Sequence, residues 1–204
     1  MQNKPLFVTG IGTGIGKTLI SAILAEKLKA DYWKPVQAGD LDNSDTIKVQ
    51  QLVSNTKTMF HPETYRLKQP FSPHKAAVLD NIEIKEKNIT LPVTANNLII
   101  EGAGGLMVPL NDHFLMIDLI QHLDAEVILV SQNYLGSINH TLLSAEALKS
   151  RGITVRGMIF NGEPNASTED YILSYTKINL LGRVPELSNI NRESIQHAGN
   201  SINL

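Results

Sequence analysis

Ten consecutive residues, Thr9-Gly10-Ile11-Gly12-Thr13-Gly14-Ile15-Gly16-Lys17-Thr18, hold the densest chemistry in this chain. They stand between a short apolar run, Leu6-Phe7-Val8, and an apolar-periodic segment that begins at Leu19. Strand, glycine-rich turn, Lys-Thr and helix is the order of a loop that holds phosphate. Glycines let successive backbone N–H groups point inward at an anion, and the start of a helix adds the positive end of its dipole. Lys17 can then reach the β- and γ-phosphates of a nucleotide, and the Thr18 hydroxyl can ligate Mg2+. The loop is a variant of the strict pattern. Ile11 stands where that pattern has its first glycine, and Gly10 comes one residue early.

Other reactive side chains stand at the ends of apolar runs. Lys34 interrupts Trp33-Lys34-Pro35-Val36. It reads as a second cation for phosphoryl transfer, against the alternative of an edge lysine with its stem along apolar surface. Asp45, in Asp42-Asn43-Ser44-Asp45, is placed either to cap a helix or to hold Mg2+ directly or through water. Glu101 follows Leu98-Ile99-Ile100. A carboxylate at the end of a buried strand is costly unless it meets a cation, so it reads as a further Mg2+ ligand. Gly102, Ala103, Gly104 and Gly105 come next and suit close approach of backbone to a ligand. Phe71-Ser72-Pro73-His74 and Gly136-Ser137-Ile138-Asn139-His140 each enter a helix with free N–H groups suited to a carboxylate or phosphate. His74 and His140 are not spaced as metal ligands and read as structural. Asn161 follows Met158-Ile159-Phe160. Its amide could read a base edge or simply make a turn.

The elements that must position these groups are short apolar runs alternating with periodic stretches. Strands are expected at 6–9, 32–36, 98–101, 127–131, 155–160 and 180–184, and helices at 17–29, 44–53, 73–79, 115–122, 138–150, 168–176 and 190–197. Runs that are apolar almost throughout fit parallel strands covered on both faces. The alternation predicts an α/β fold, a doubly wound and mainly parallel sheet with helices on both faces, whose ligand lies beyond the carboxyl ends of the strands. Asn43 or Ser44 should cap the second helix, and Ser137 the helix after Gly136.

Composition narrows the class. The chain has 204 residues and 42% hydrophobic residues, enough for one domain spanning 1–204 with a full core. A net charge of -2, with no basic run, argues against a nucleic-acid partner. The absence of cysteine excludes disulfides, thiolate metal sites and cysteine nucleophiles. Residues 1–5 are expected to lead straight into the first strand, and no apolar run approaches the roughly 18 residues of a membrane span. A cytoplasmic enzyme without a membrane partner is the expectation.

Together these motifs resemble the dethiobiotin synthetase family, ATP-dependent phosphate-loop enzymes of biotin synthesis. The resemblance is carried by residues 9–18, Lys34-Pro35-Val36, Asn43-Ser44-Asp45, Pro70, Ser72-Pro73-His74, Glu101-Gly102-Ala103-Gly104-Gly105, Pro109-Leu110, Gly136 with Ile138-Asn139-His140, Asn161, Leu181-Gly182, Pro185 and the closing Ile202-Asn203-Leu204. It implies closure of the cyclic urea of dethiobiotin from 7,8-diaminopelargonate, CO2 and ATP. The steps would be a carbamate, its phosphorylation by the γ-phosphoryl group, and ring closure with loss of phosphate. It further implies Mg2+ as cofactor, ATP as co-substrate, and a homodimer with the active site at the subunit boundary.

Carried over by position, Lys17 and Lys34 are catalytic. Thr18, Asp45 and Glu101 surround Mg2+. ATP is touched by Gly14, Ile15, Gly16, Lys17, Thr18, Leu19, Asp45, Gly102, Ala103, Gly104 and Gly105, with Asn161, Pro185, Glu186 and Leu187 bordering the adenine. Thr13, Lys34, Ala38 and Pro73 face the substrate, and Gly136, Ser137 and Asn139 of the partner protomer hold its carboxylate. The chain departs from the family at Ala38, where a hydroxyl is usual, at Gly14, where some members carry an acid, and between His74 and Asn97, which is short. Two rivals share the loops. An ATPase switch of the partition or metal-delivery type would have a signature lysine near Gly12. A corrin-synthesis amide ligase would need a glutaminase domain, for which 204 residues leave no room.

Overall fold

Neighbouring residues of each apolar run go to opposite sides of one sheet, and this alternation builds two cores. The computed structural model describes residues 4–204; residues 1–3, part of the expected lead into the first strand, lie outside the described residues. In chain order the elements are β1 (Leu6–Gly10), α1 (Lys17–Leu28), β2 (Asp31–Trp33), β3 (Val36–Ala38), α2 (Asp45–Leu52), β4 (Phe60–His61), β5 (Tyr65–Leu67), α3 (Pro73–Leu79), β6 (Leu98–Gly105), α4 (Met116–His122), β7 (Glu126–Gln132), α5 (Ser137–Ser150), β8 (Val155–Asn161), α6 (Ala166–Thr176), β9 (Leu180–Val184) and α7 (Arg192–Gly199).

Seven strands form a parallel sheet in the order β4-β2-β6-β1-β7-β8-β9. Phe7, Ile100, Leu129 and Phe160 join one core with Met116 and Ile120 of α4, Leu148 of α5 and Ile172 of α6. Their chain neighbours Val8, Ile99, Ile128 and Ile159 join the other, with Ile20, Ile23 and Leu24 of α1, Val49 of α2 and Ile195 and Ala198 of α7. Helices therefore cover both faces, as the doubly wound α/β expectation requires. Each such side chain contributes about 1.5–3 kcal/mol on burial, so a run apolar on both faces is stable only inside the sheet.

The structure corrects several expected boundaries. The strand expected at 32–36 is two strands in two sheets: β2 pairs with β6 and β4, while β3 pairs with β5. Pro35 explains the break. It has no N–H to give a ladder, and its ring restricts Lys34 before it. The short strands β4 and β5 had no signal, because two or three residues show no period. β6 runs on through the glycines to Gly105, instead of turning after Glu101. Ser44 does cap α2, accepting from Ile47 N at 3.4 Å. Ser137, however, is the first residue of α5, and Gly136 occupies the cap position with φ 102°. Only glycine takes that conformation without strain.

Candidate active site

The phosphate loop leaves β1 at the middle of the sheet and turns into α1. Gly16, the residue before α1, has φ 93°. A Cβ there would stand 2.2 Å from Asn161 Nδ2, so both its torsion and its surroundings demand glycine. Asn161, the last residue of β8, donates through Nδ2 to the Ile15 carbonyl at 3.0 Å. Lys17 folds back over the loop and donates to the Gly12 carbonyl at 2.8 Å.

Register brings the acids to this loop. β6 lies between β1 and β2, and Glu101 is level with Val8. Glu101 is 1% exposed. Its Oε1 accepts from Thr18 Oγ1 at 2.7 Å and from Lys34 Nζ at 3.1 Å. Its Oε2 accepts from the Tyr32 hydroxyl at 2.8 Å. Lys34, in the gap between β2 and β3, is itself buried and donates also to Asp45 Oδ2. The snorkelling alternative is therefore excluded, since Lys34 bridges two carboxylates. Asp45 opens α2. Its N–H donates to Gln37 Oε1 at 3.3 Å, and Gln37 Nε2 donates to the Gly39 carbonyl at 2.9 Å.

Electrostatics follow from this geometry. Burial alone would lower the Lys34 ammonium, but the charges of Glu101 and Asp45 outweigh it and hold Lys34 above the usual lysine value. Burial pushes the Asp45 carboxyl up, and Lys34 and Lys48 more than reverse this. Among the described residues Lys17 has no carboxylate in salt-bridge contact. Burial and the like charge of Lys34 bring it down to about 8, against the weaker pull of Glu101 and Asp45. Tyr32 is driven well above its ordinary value by burial and by the charge of Glu101, so it is a neutral donor.

Two carboxylates and a hydroxyl converge here. Among the described residues no group of three or more His, Cys, Asp or Glu side chains is placed to hold a metal ion. The donor set still fits Mg2+. That ion favours hard oxygen ligands, takes one or two carboxylates, and fills its other positions with phosphate and water. A Thr18 hydroxyl that gives its proton to Glu101 keeps its lone pairs free for a cation.

The remaining expected residues divide into those near the loop and those apart from it. Gly105 is paired with Gly10, and a Cβ on it would stand 3.4 Å from the Gly10 carbonyl. A Cβ on Gly102 would meet Phe7 at 2.7 Å, and one on Gly104 would meet Val108 at 2.7 Å. These glycines thus admit protein neighbours and bring β6 against the loop. Ala103 is half-buried among them. The Thr13 hydroxyl stands 3.6 Å from the Cβ position of Gly104. Gly14 takes φ 76° within the loop, and Leu19 follows Thr18 in α1.

Pro185, Glu186 and Leu187 follow β9, whose Val184 is level with Asn161. Ala38 ends β3, and Pro73 is the buried first residue of α3. Gly136, Ser137 and Asn139 make no hydrogen bond to the lysines or acids of this site. Gly136 and Asn139 line a separate hollow with Tyr134, Leu135, Ile138 and Tyr171. His140 Nδ1 pairs with the Tyr134 hydroxyl at 2.8 Å. The His74 backbone N–H donates to the Pro109 carbonyl at 3.2 Å, while its ring Nδ1 is buried with no hydrogen-bond partner among the described residues.

Sequence reasoning missed Tyr32 and Gln37. A phenol inside an apolar run was the signal available for Tyr32, and it reads equally well as core.

Parallel sheet, loop and clustered acids define a P-loop nucleotide-binding protein. Solved structures of that class match nearly the whole chain. A ParA family ATPase from Chlorobium tepidum TLS gives a TM-score of 0.59 at 15% identity, covering 97% of this chain and 91% of its own. A MinD cell division ATPase from Pyrococcus furiosus gives 0.55 at 12% identity, covering 97% and 98%. At such identity they show the fold alone. A family model described as an AAA domain matches residues 4–194. The ATP-dependent dethiobiotin synthetase BioD of Christiangramia forsetii is 57% identical over 90% of this chain and 88% of its own. That of Cytophaga hutchinsonii is 51% identical over 94% and 93%. The chain belongs to the dethiobiotin synthetase family and is an ATP-dependent ligase.

Proposed function

We propose that this enzyme closes the urea ring of dethiobiotin from 7,8-diaminopelargonate, CO2 and ATP, releasing ADP and phosphate. The observation that carries the reading is the buried Lys34 bridging Asp45 and Glu101 beside the phosphate loop. The chemistry asks for positioning and charge neutralisation, with no protein nucleophile. One amine of the diamine adds to CO2 and gives a carbamate. The carbamate oxygen takes the γ-phosphoryl group, forming a carbamic-phosphoric anhydride. The second amine attacks its carbonyl carbon, and phosphate leaves.

In this reading Lys17 leaves the Gly12 carbonyl to meet the β/γ-phosphates. Lys34 faces the carbamate and the transferring phosphoryl group. Thr18, Asp45 and Glu101 would hold Mg2+, which when bound neutralises charge on the phosphates. Asn161 and residues 185–187 border the base. Thr13 and Pro73 line the diamine site, where Ala38 offers no hydroxyl.

A homodimer completes the site. The start of α5 has no side-chain cap, and the Ser137 hydroxyl is buried without a hydrogen-bond partner. The Ser137 N–H is already given to the Tyr134 carbonyl at 2.9 Å, so the N–H groups of Ile138 and Asn139 are the ones that suit the substrate carboxylate of the facing protomer, with the Ser137 hydroxyl beneath them. The chain works as one domain, without nucleic-acid or membrane partners, and a cytoplasmic place goes with this reading. Among the described residues no helix is long and apolar enough to cross a membrane.

The test is to incubate the protein with diaminopelargonate, bicarbonate, Mg2+ and ATP and to assay dethiobiotin by mass. Formation of ADP without dethiobiotin would sink the proposal. Within it, Lys17→Ala should lower turnover by a factor on the order of 100–1,000. Asp45→Asn and Glu101→Gln should each raise the Mg2+ needed for half-maximal rate.

A further inference from the structure

Glu101 holds its place through three donors from two parts of the chain: Thr18 of α1, and Tyr32 of β2 with Lys34 just after it. Thr18 and Lys34 share Oε1. Tyr32 donates to Oε2, on the side of the apolar core. Its ring is fully buried, tilted against Phe60 at 6.1 Å between centroids. A residue at this position needs only to be apolar to complete that core, and phenylalanine would fill the same space. The hydroxyl is the one feature that packing does not require, and it meets the carboxylate nearest the nucleotide loop.

We propose that Tyr32 is a positioning residue for the reaction. It pins Oε2 so that Oε1 must face Thr18 and Lys34. The Thr18 proton then stays directed at Glu101, and the lone pairs of its oxygen stay directed at the phosphates. With Oε2 unpinned, the carboxylate can rock about its last bond through angles at which neither oxygen meets the Thr18 hydroxyl. Thr18 then loses its fixed acceptor. The phenol is suited to this task because it stays neutral beside a carboxylate. A cation at the same place would compete with Lys34 and would weaken the pull of Glu101 on a metal. The proposal rests on the Mg2+ reading above. Outer residues that orient a ligand typically account for 10–100-fold in metal affinity.

The experiment uses the full chain with Tyr32→Phe, which removes only the hydroxyl, and Tyr32→Leu, which also removes the ring. Mn2+ affinity is measured by electron paramagnetic resonance in the presence of ADP. ADP affinity is measured by calorimetry in EDTA. Both variants should weaken Mn2+ by about tenfold or more while changing metal-free ADP affinity less than about twofold. In a Glu101→Gln background, adding Tyr32→Phe should weaken Mn2+ no further. If Tyr32→Phe leaves Mn2+ affinity unchanged while Glu101→Gln weakens it, Tyr32 is core alone and the proposal is overturned. If Glu101→Gln also leaves it unchanged, the metal-site reading has failed and takes the proposal with it. A Tyr32→Phe defect that appears equally in metal-free ADP binding would assign the hydroxyl to the loop and overturn it as well.

Discussion

At the residue scale, two lysines that feel the charge of the same two acids have opposite fates. Lys34 has two carboxylates in contact and stays charged, whereas Lys17 has a carbonyl and comes down to about 8. ATP prefers the charged form of Lys17. Its free-enzyme affinity should therefore be constant below about pH 8 and fall as the pH rises through that value. The decline should appear in kcat/KM for ATP, which reports the free enzyme, and at higher pH in kcat, because bound phosphates raise the Lys17 value. A kcat/KM flat to pH 10 would show that Lys17 is not the phosphate cation.

Lys34→Gln gives the complementary result. It should bind ATP nearly normally and fail to form dethiobiotin. It should also leave Glu101 and Asp45 unbalanced, at a cost of about 3–5 kcal/mol in denaturant unfolding. Part of that cost should shrink at low pH, where Asp45, no longer held down by Lys34, takes up a proton. Lys34 and Glu101 were legible because a charge in an apolar run must be answered by an opposite charge, whereas Lys17 was read from the glycine-rich loop and Asp45 from the start of a helix. Tyr32 was not, since its ring satisfies the run and only its hydroxyl reaches the site.

Among the elements, the phosphate loop is set by a contact from far along the chain. Gly16 has room for no side chain because Asn161 stands against it. Gly16→Ala should cost about 1–2 kcal/mol from the left-handed backbone alone, and more from the displaced Asn161. Calorimetry should show ATP binding lost with only a modest fall in melting temperature. Unchanged ATP affinity would mean that the loop can reshape without penalty.

The long elements of the fold were legible in the period of their apolar residues. The small sheet of β3 and β5 was not, since three residues cannot display a period. Pro35 carried the warning, being a residue that no central strand accommodates. The consequence is functional: the break at Pro35 puts Lys34 at the mouth of the sheet, beside α2.

Over the whole molecule, large apolar side chains remain exposed around the start of α5 and along α6. Leu135 is fully exposed, and Leu143, Tyr171 and Tyr175 are each more than half exposed. Leu135 and Tyr171 line the hollow next to Asn139. A homodimer formed there would cover these residues and present the α5 start to its partner. Leu135→Glu should then sediment as a monomer and raise KM for the diamine. Metal-free ADP affinity should stay the same. A Leu135→Glu protein that remains dimeric would move the interface elsewhere. Mixing Lys17→Ala with Asn139→Ala protein should restore part of the activity, since one of the two mixed sites would be intact.

The strand order also sets a timetable for synthesis. β1 is made first, yet its two neighbours in the sheet are β6 and β7, which end at Gly105 and Gln132. At about 5–20 residues per second, the ribosome needs roughly 6–24 s to supply both partners. Through that interval Phe7 and Val8 have no strand to lie against, and the loop that follows them has neither Glu101 nor Asn161 to shape it. The newborn chain thus depends on being kept from its neighbours longer than a protein of consecutive hairpins does, and nucleotide cannot help it fold until the later strands have emerged.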